Sequence, residues 1–146
     1  MEYSKIDKLG VNPSLLGFGC MRFPKKEDGT IDEVEAERML DHAIESGVTY
    51  IDTAYPYHDG ESEPFVGRVL KKYKRKDYYL ATKLPMFKID SLQQAKDIFE
   101  EQMKRLDVDY VDFYLLHALN KDTWKKVLDL NIIPYCEELK LWFFFP

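Results

Sequence analysis

A repeated alternation of apolar strands with amphipathic helices is the feature that most limits what this chain can fold into. Segments typical of buried strands begin at Leu15 ("LLGFG"), Val48 ("VTYID"), Tyr78 ("YYLATK") and Tyr110 ("YVDFYLL"), so their starts lie about thirty residues apart. β-Branched, aromatic and leucine residues dominate them, which indicates strands covered on both faces. An interval of about 30 residues is that of one βαβ unit. The spacing therefore predicts a parallel sheet.

Helical periodicity fills the intervals between these strands. The apolar stripes that follow the spacing of an amphipathic helix are Ala36–Met39–Leu40–Ala43–Ile44, Phe65–Val66–Val69–Leu70–Tyr73, Leu92–Ala95–Ile98–Phe99–Met103–Leu106 and Trp124–Val127–Leu128–Ile132–Tyr135–Leu139. Asp32 and Ser91 are expected to cap the first and third helices, and Asp32 with Glu35 resembles a capping box. A break in the last helical region is expected near Pro134.

These elements predict an α/β fold of about four parallel (β/α) units. The segment "YSKIDKLGVNPSLL" before the first strand contains an Asn12–Pro13 turn signal and predicts a short N-terminal β-hairpin. A closed barrel of eight such units takes about 250 residues. The 146 residues of this chain correspond to about half of one.

Charge and cysteine content exclude several classes of partner. The formal net charge is −5, which gives the chain no electrostatic reason to bind nucleic acid or an anionic membrane. Cys20 and Cys136 are too few and too far apart for a disulfide framework or a metal site, so a reduced, cytoplasmic protein is expected. The sequence contains neither a secretory signal pattern nor an apolar stretch long enough to span a bilayer.

Polar side chains of different chemistry stand where successive strands end. Asp52 ends the second strand, Lys83 the third and His117 the fourth, while Tyr55 and Tyr57 follow Asp52 in the loop. In parallel α/β folds the carboxyl ends of the strands meet at one edge, where functional groups gather. Each residue alone also fits an ordinary role, as a turn cap, a solvated strand end or loop packing. Their joint occurrence favours a functional site.

An acid, an amine, a phenol and an imidazole together make a tunable proton donor. A phenol is a weak acid at neutral pH, and a nearby ammonium group favours its ionised form. A partly buried ammonium in turn needs a carboxylate partner. These strand ends contain no serine or cysteine nucleophile, and the His58–Asp59 pair in "YHDG" is a weak metal signal. The combination suits protonation of an oxygen while another agent attacks the attached carbon.

Several longer motifs resemble the aldo-keto reductase family. They are "LLGFGCMRFP", "AIESGVTYIDTAYPYHDGESEPFVGRVL", "LATKLP" and "RLDVDYVDFYLLHAL", and the resemblance runs from about residue 3 to about residue 140. It implies a TIM-type (β/α)8 barrel of which this chain holds half. It also maps the family's catalytic tetrad onto Asp52, Tyr57, Lys83 and His117, because the family's Asp-to-Tyr spacing of five residues selects Tyr57 over Tyr55.

The resemblance further implies an NAD(P)H-dependent oxidoreductase that reduces a small-molecule aldehyde or ketone to an alcohol. Tyr57 would supply the proton, Lys83 and Asp52 would tune it, and His117 would orient the substrate oxygen. The cofactor is NADP(H) or NAD(H), and the implied cofactor contacts are Gly19, Cys20, Met21, Arg22 and Asp52. For Gly17 in the same segment, a structural role in a tight strand end is an equally good interpretation.

The sequence departs from the family after about residue 140. Residues 1–140 are expected to form the N-terminal half of the barrel, and the apolar tail "LWFFFP" over 141–146 is atypical and looks like a truncated or frame-shifted end. In barrels the phosphate site commonly comes from the loops after strands 7 and 8, which this chain does not contain. A second hypothesis therefore stands beside the oxidoreductase: a catalytically silent half-barrel, either a remnant or a module that self-associates through its open sheet edges. The missing cofactor half favours this second hypothesis for the chain taken alone.

Overall fold

A four-stranded sheet with helices between its strands forms the described part of the chain, residues 1–143 of a computed structural model. The elements are β1 (Gly17–Gly19), α1 (Glu33–Glu45), β2 (Tyr50–Asp52), α2 (Ser62–Leu70), β3 (Tyr79–Pro85), α3 (Leu92–Leu106), β4 (Phe113–His117), α4 (Lys121–Asp129) and α5 (Ile132–Phe143). Residues 141–143 of the predicted tail thus continue α5, and 144–146 lie outside the described residues. None of the described helices is long and apolar enough to cross a bilayer.

All neighbouring strands are parallel and follow one another in sequence order, as the repeat predicts. Asp52 pairs with Gly19 on one side and with Ala81 on the other. Pro85 pairs with His117, the last residue of β4. This register places the end of every strand on the same edge of the sheet.

The first strand is shorter than the sequence predicts. Leu15 and Leu16 belong to the predicted buried strand, yet their exposed fractions are 63% and 61%. Just before them, the Ser14 N–H donates to Thr49 Oγ1 and the Thr49 N–H donates to Ser14 Oγ, both at 2.9 Å. These side-chain bonds replace the ladder there, so strand pairing starts only at Gly17.

The predicted N-terminal hairpin is confirmed, but its turn lies elsewhere. Antiparallel bridges join Tyr3 to Ser14 and Ile6 to Val11, and the chain reverses over residues 7–10. Gly10, with a φ of +66°, supplies the left-handed residue that closes the turn. The Asn12–Pro13 pair, predicted as the turn, lies on the returning arm instead.

Side chains cap the helices largely as the sequence predicts. Asp32 accepts a hydrogen bond from the Glu35 N–H, and Ser91 accepts one from Gln94. The capping box is only half formed, because the Asp32 N–H already donates to the Pro24 carbonyl. The Glu35 carboxylate pairs with Arg38 instead.

The last helical region breaks earlier than predicted. α4 ends at Asp129 and α5 begins at Ile132, with Asn131 between them in the left-handed region at φ +56°. Pro134 lies in the first turn of α5, where a helix needs no donor from its backbone nitrogen. The proline therefore does not break the helix, and the left-handed asparagine marks the break.

The core fills the space between the sheet and its helices. Its largest fully buried apolar side chains are Leu40, Ile51, Phe65, Leu70, Leu80, Leu84, Met86, Ile89, Leu106 and Ile132. Residues of α1, α2 and α3 pack in this way against β2 and β3. The two central strands are thus fixed, and they carry two of the predicted site residues.

Candidate active site

Three of the four predicted tetrad residues stand on neighbouring strands at one edge of the sheet. Asp52 is the last residue of β2, Lys83 lies two residues before the end of β3, and His117 ends β4. Tyr57 begins a short 3-10 turn in the loop that follows β2. Since parallel strands bring their carboxyl ends together, the fold gathers these residues from distant parts of the sequence.

The Lys83 ammonium group is the centre of this cluster. Its Nζ donates to Asp52 Oδ1 at 2.6 Å, to the Thr53 carbonyl at 2.7 Å and to the Tyr57 hydroxyl at 3.2 Å. An ammonium group has three hydrogens, so these three acceptors use all of them. The Lys83 and Asp52 side chains are only 12% and 25% exposed, which limits solvent screening of the pair.

The turn that presents Tyr57 has an unusual backbone. His58 and Asp59 both have positive φ, at 52° and 56°, a region that non-glycine residues seldom occupy. The His58 Nε2 accepts a hydrogen bond of 3.2 Å from the Phe23 N–H. Phe23 is itself buried against Phe65, with ring centroids 5.1 Å apart. These contacts hold a strained turn in place, as is common at functional sites.

His117 faces the tyrosine across the opening of the site. Its ring lies edge-on to Tyr57 at 5.7 Å between centroids, and Phe87 lies 5.9 Å away on another side. Burial lowers the pKa of His117, and the Lys83 charge lowers it further, while Asp52 partly opposes both. The imidazole is therefore neutral at pH 7. Its Nδ1 is buried without a hydrogen-bond partner among the described residues.

The predicted cofactor contacts at the end of β1 and just after it differ in their exposure to solvent. Met21 and Arg22 are exposed, and at Gly19 a β-carbon would meet no atom within 4 Å, so this rim is open. Cys20 is fully buried, and burial raises the pKa of its thiol well above the usual range. The structure thus leaves the Cys20 side chain out of the predicted contact surface. A β-carbon at Gly17 would lie 2.9 Å from the Tyr50 ring, which favours the structural interpretation of that glycine.

Sequence reasoning missed a buried polar cluster behind Lys83. Glu63, Thr82 and Gln102 are all fully buried and hydrogen-bonded to one another. The available signal was Glu63 itself, because it shares the inward face of α2 with Val66 and Leu70. An acid in an apolar stripe indicates a buried charge that needs partners.

Comparison with known proteins identifies the family. The sequence profile described as "Aldo/keto reductase family" matches residues 15–141. Aldo-keto reductase YhdN of Bacillus subtilis is 34% identical over 125 residues, which cover 80% of this chain and 38% of that protein. Probable aldo-keto reductase 1 of Glycine max is 32% identical over 124 residues, covering 80% of this chain and 36% of that protein.

A solved structure shows the same fold. The holo form of aldo-keto reductase AKR11C1 from Bacillus halodurans is 33% identical and superposes with a TM-score of 0.77, covering 97% of this chain and 47% of that chain. The chain belongs to the aldo-keto reductase family, whose members are generally NAD(P)H-dependent oxidoreductases. It spans less than half the length of each of these three proteins. The predicted half of a (β/α)8 barrel is thereby confirmed.

Proposed function

We propose that this site reduces an aldehyde or ketone to an alcohol with NADPH or NADH, Tyr57 acting as the proton donor. The observation that supports this most directly is the position of Lys83, whose amine joins the Asp52 carboxylate at 2.6 Å to the Tyr57 hydroxyl at 3.2 Å. A phenol next to an ammonium group can give up its proton at neutral pH, because the phenolate that remains is stabilised. Membership of the reductase family agrees with that chemistry.

The proton and the hydride must reach different atoms of the carbonyl. Tyr57 releases its hydroxyl proton to the carbonyl oxygen, and the Lys83 ammonium stabilises the phenolate left behind. Asp52 pairs with the Lys83 amine at 2.6 Å and keeps it directed at the phenol. A bound nicotinamide cofactor supplies the hydride that the carbonyl carbon receives. The substrate thus gains one hydride and one proton and becomes an alcohol.

His117 is assigned the orientation of the substrate. A neutral imidazole can donate one N–H to the carbonyl oxygen without competing with Tyr57 as an acid. Its lowered pKa keeps it in this form near pH 7. Phe87 is 47% exposed and adjoins the His117 ring, so it offers an apolar wall to a substrate bound there.

The residues at the end of β1 and just after it suit the nicotinamide end of the cofactor. The open space at Gly19 would admit a flat ring close to the backbone, beside Asp52 on the neighbouring strand. Exposed Met21 and Arg22 lie on the same rim and would contact the bound nucleotide.

The test is oxidation of NADPH and of NADH by the purified chain with simple aldehydes, together with nucleotide binding measured directly. The reductase proposal predicts aldehyde-dependent oxidation that falls about 10²- to 10⁴-fold in Tyr57→Phe, the usual contribution of general acid catalysis. Tyr73→Phe is the matched control, since Tyr73 donates its hydroxyl to Asp41 on α1, away from the site. Equal turnover in Tyr57→Phe and the unmodified chain would refute the proton-donor role.

A second candidate is a catalytically silent half-barrel that binds another copy of itself. Within residues 1–143, β1 and β4 are the outer strands of the sheet, and each has one unpaired edge. Exposed leucines lie next to β1 and on β4: Leu16, just before β1, is 61% exposed, and Leu115 on β4 is 38% exposed. Sedimentation at several concentrations, run beside the activity assay, separates the candidates. A self-associating chain that binds no nucleotide supports the second, and a monomer that turns over aldehyde supports the first.

A further inference from the structure

Glu63 is a buried acid that the proposed reaction does not use. It lies in the first turn of α2 with no exposed surface. Its Oε1 accepts hydrogen bonds from Thr82 Oγ1 at 2.6 Å and from Gln102 Nε2 at 2.7 Å. Burial raises the pKa of this carboxyl, and both hydrogen bonds oppose that rise. An apolar residue of similar size would often be as stable at such a position, so stability alone does not explain the acid.

Gln102 connects this acid to the backbone of Lys83. Besides bonding Glu63, its Nε2 lies 3.1 Å from the Lys83 carbonyl oxygen, and its Oε1 accepts from the Tyr114 hydroxyl at 2.8 Å. The Gln102 side chain is thus held at both ends. Thr82 and Lys83 are consecutive on β3, so their side chains point to opposite faces of the sheet. The cluster of Glu63, Thr82 and Gln102 therefore holds β3 on the face of the sheet opposite the Lys83 side chain.

Helix α3, which carries Gln102, also holds the loop that contains Tyr57. Tyr55, two residues before it, donates its hydroxyl to Glu101 Oε2 at 2.9 Å. The Arg105 guanidinium stacks 4.2 Å from the Tyr55 ring centre and pairs with Glu101 at 2.6 Å. Arg105 also lies 3.7 Å from Glu63 Oε2, the otherwise unpartnered oxygen of the buried acid. Glu63 therefore contacts both Gln102, which bonds the backbone of Lys83, and Arg105, which stacks on the loop that contains Tyr57.

We propose that Glu63 is a positioning residue that, through Gln102, Thr82 and Arg105, sets the distance between the Lys83 amine and the Tyr57 hydroxyl. The importance of that distance for activity rests on the proposed reductase function, but the geometric claim does not. The Lys83 Nζ lies 4.7 Å from the centre of the Tyr57 ring. The two side chains are thus close enough for a nuclear Overhauser contact, which reports their separation without any turnover.

The experiment measures this contact in the full chain, with labelled lysine and tyrosine, in three variants. Glu63→Leu removes both acceptor oxygens, whereas Glu63→Gln keeps one that Thr82 and Gln102 can still use. Val127→Ala, at a fully buried position on α4, is the control for general loss of stability. We expect the Lys83–Tyr57 contact to disappear in Glu63→Leu and to persist in the other two, although Val127→Ala lowers the melting temperature.

Persistence of the contact in a folded Glu63→Leu chain would overturn the proposal, because Glu63 would then act on stability alone. If Glu63→Leu fails to fold, Gln102→Leu tests the same link between Glu63 and Lys83. This variant removes the donor to the Lys83 carbonyl and leaves Glu63 in place. Loss of the contact there supports the positioning role, and retention refutes it. A chain that shows these losses but never oxidises NADPH or NADH would refute the reductase and leave the positioning role standing.

Discussion

The Lys83 amine lies 2.6 Å from the Asp52 carboxylate, across the pairing of β2 with β3. Both side chains are mostly shielded from solvent, and the amine has further acceptors in the Thr53 carbonyl and the Tyr57 hydroxyl. Removal of either partner would leave the other poorly compensated in a partly buried place. The contact therefore contributes to the stability of the sheet edge as well as to the arrangement of the site.

A double-mutant cycle with Asp52→Asn and Lys83→Met should give a coupling free energy of about 0.5–3 kcal/mol, the range for residues in direct contact. Chemical denaturation of the four chains measures it. The control cycle uses Lys125→Met and Asp129→Asn, an exposed i,i+4 pair on α4. That pair should give about 0.3–0.5 kcal/mol. Equal coupling in the two cycles would contradict the partly buried character of the Lys83 contact.

The stability of the chain should fall as pH drops from 7 to 5, in part through His58. Burial lowers the pKa of His58, the Lys25 charge lowers it further, and Asp59 opposes both. Its folded pKa is thus below its unfolded value of about 6.5. The neutral ring stabilises the fold above that value, and this contribution is lost as the pH falls through the folded pKa. His117 acts in the same direction.

His58→Asn should flatten this pH dependence, since asparagine tolerates the positive φ of the site but does not titrate. The free energy of unfolding at pH 7, 6 and 5 is the measurement, and exposed His42→Asn is the control. If the free energy of unfolding of His58→Asn varied with pH as it does in the unmodified chain, the burial of His58 would not contribute to the pH dependence of stability.

Cys20 should react with a thiol reagent only when the structure opens. The side chain is fully buried and the pKa of its thiol is raised, so the native thiolate population is very small. In a Cys136→Ser background, we expect labelling at pH 8 to be at least about 100-fold slower than in denaturant, since a local opening free energy near 3 kcal/mol gives that factor. Equal rates would place the thiol at the surface, within reach of a bound nucleotide.

The placement of Asp52, Lys83 and His117 was predictable, because strand periodicity fixes where each strand ends and parallel pairing brings those ends together. The N-caps were predictable for a similar reason, since they depend on residues three apart in sequence. Other features depend on contacts between distant segments. The burial of Cys20 and the support that Glu63 gives to Lys83 follow from how the helices pack on the sheet, which no local pattern encodes.

Helices α2 and α3 approach each other closely at a residue without a side chain. A β-carbon added to Gly67 would lie 2.4 Å from the Leu106 carbonyl oxygen, a backbone atom that cannot rotate away. Gly67→Ala should therefore separate the two helices that carry Glu63 and Gln102. Overpacking costs about 1–3 kcal/mol, and a contact of 2.4 Å with a backbone atom belongs in the upper part of that range. The clash therefore outweighs the gain of about 1 kcal/mol from a better helix former.

We expect Gly67→Ala to lower the melting temperature by roughly 2–8 °C, as a net loss of about 1–2 kcal/mol does in a chain of this size. Gly19→Ala is the matched control for stability, because its β-carbon would meet no atom within 4 Å and its φ is −90°. The Lys83–Tyr57 Overhauser contact should weaken in Gly67→Ala, since the displaced α3 carries Gln102 and Arg105 with it. A stability gain in Gly67→Ala would mean that helix propensity outweighs the clash and that α2 and α3 are packed less tightly than the structure indicates.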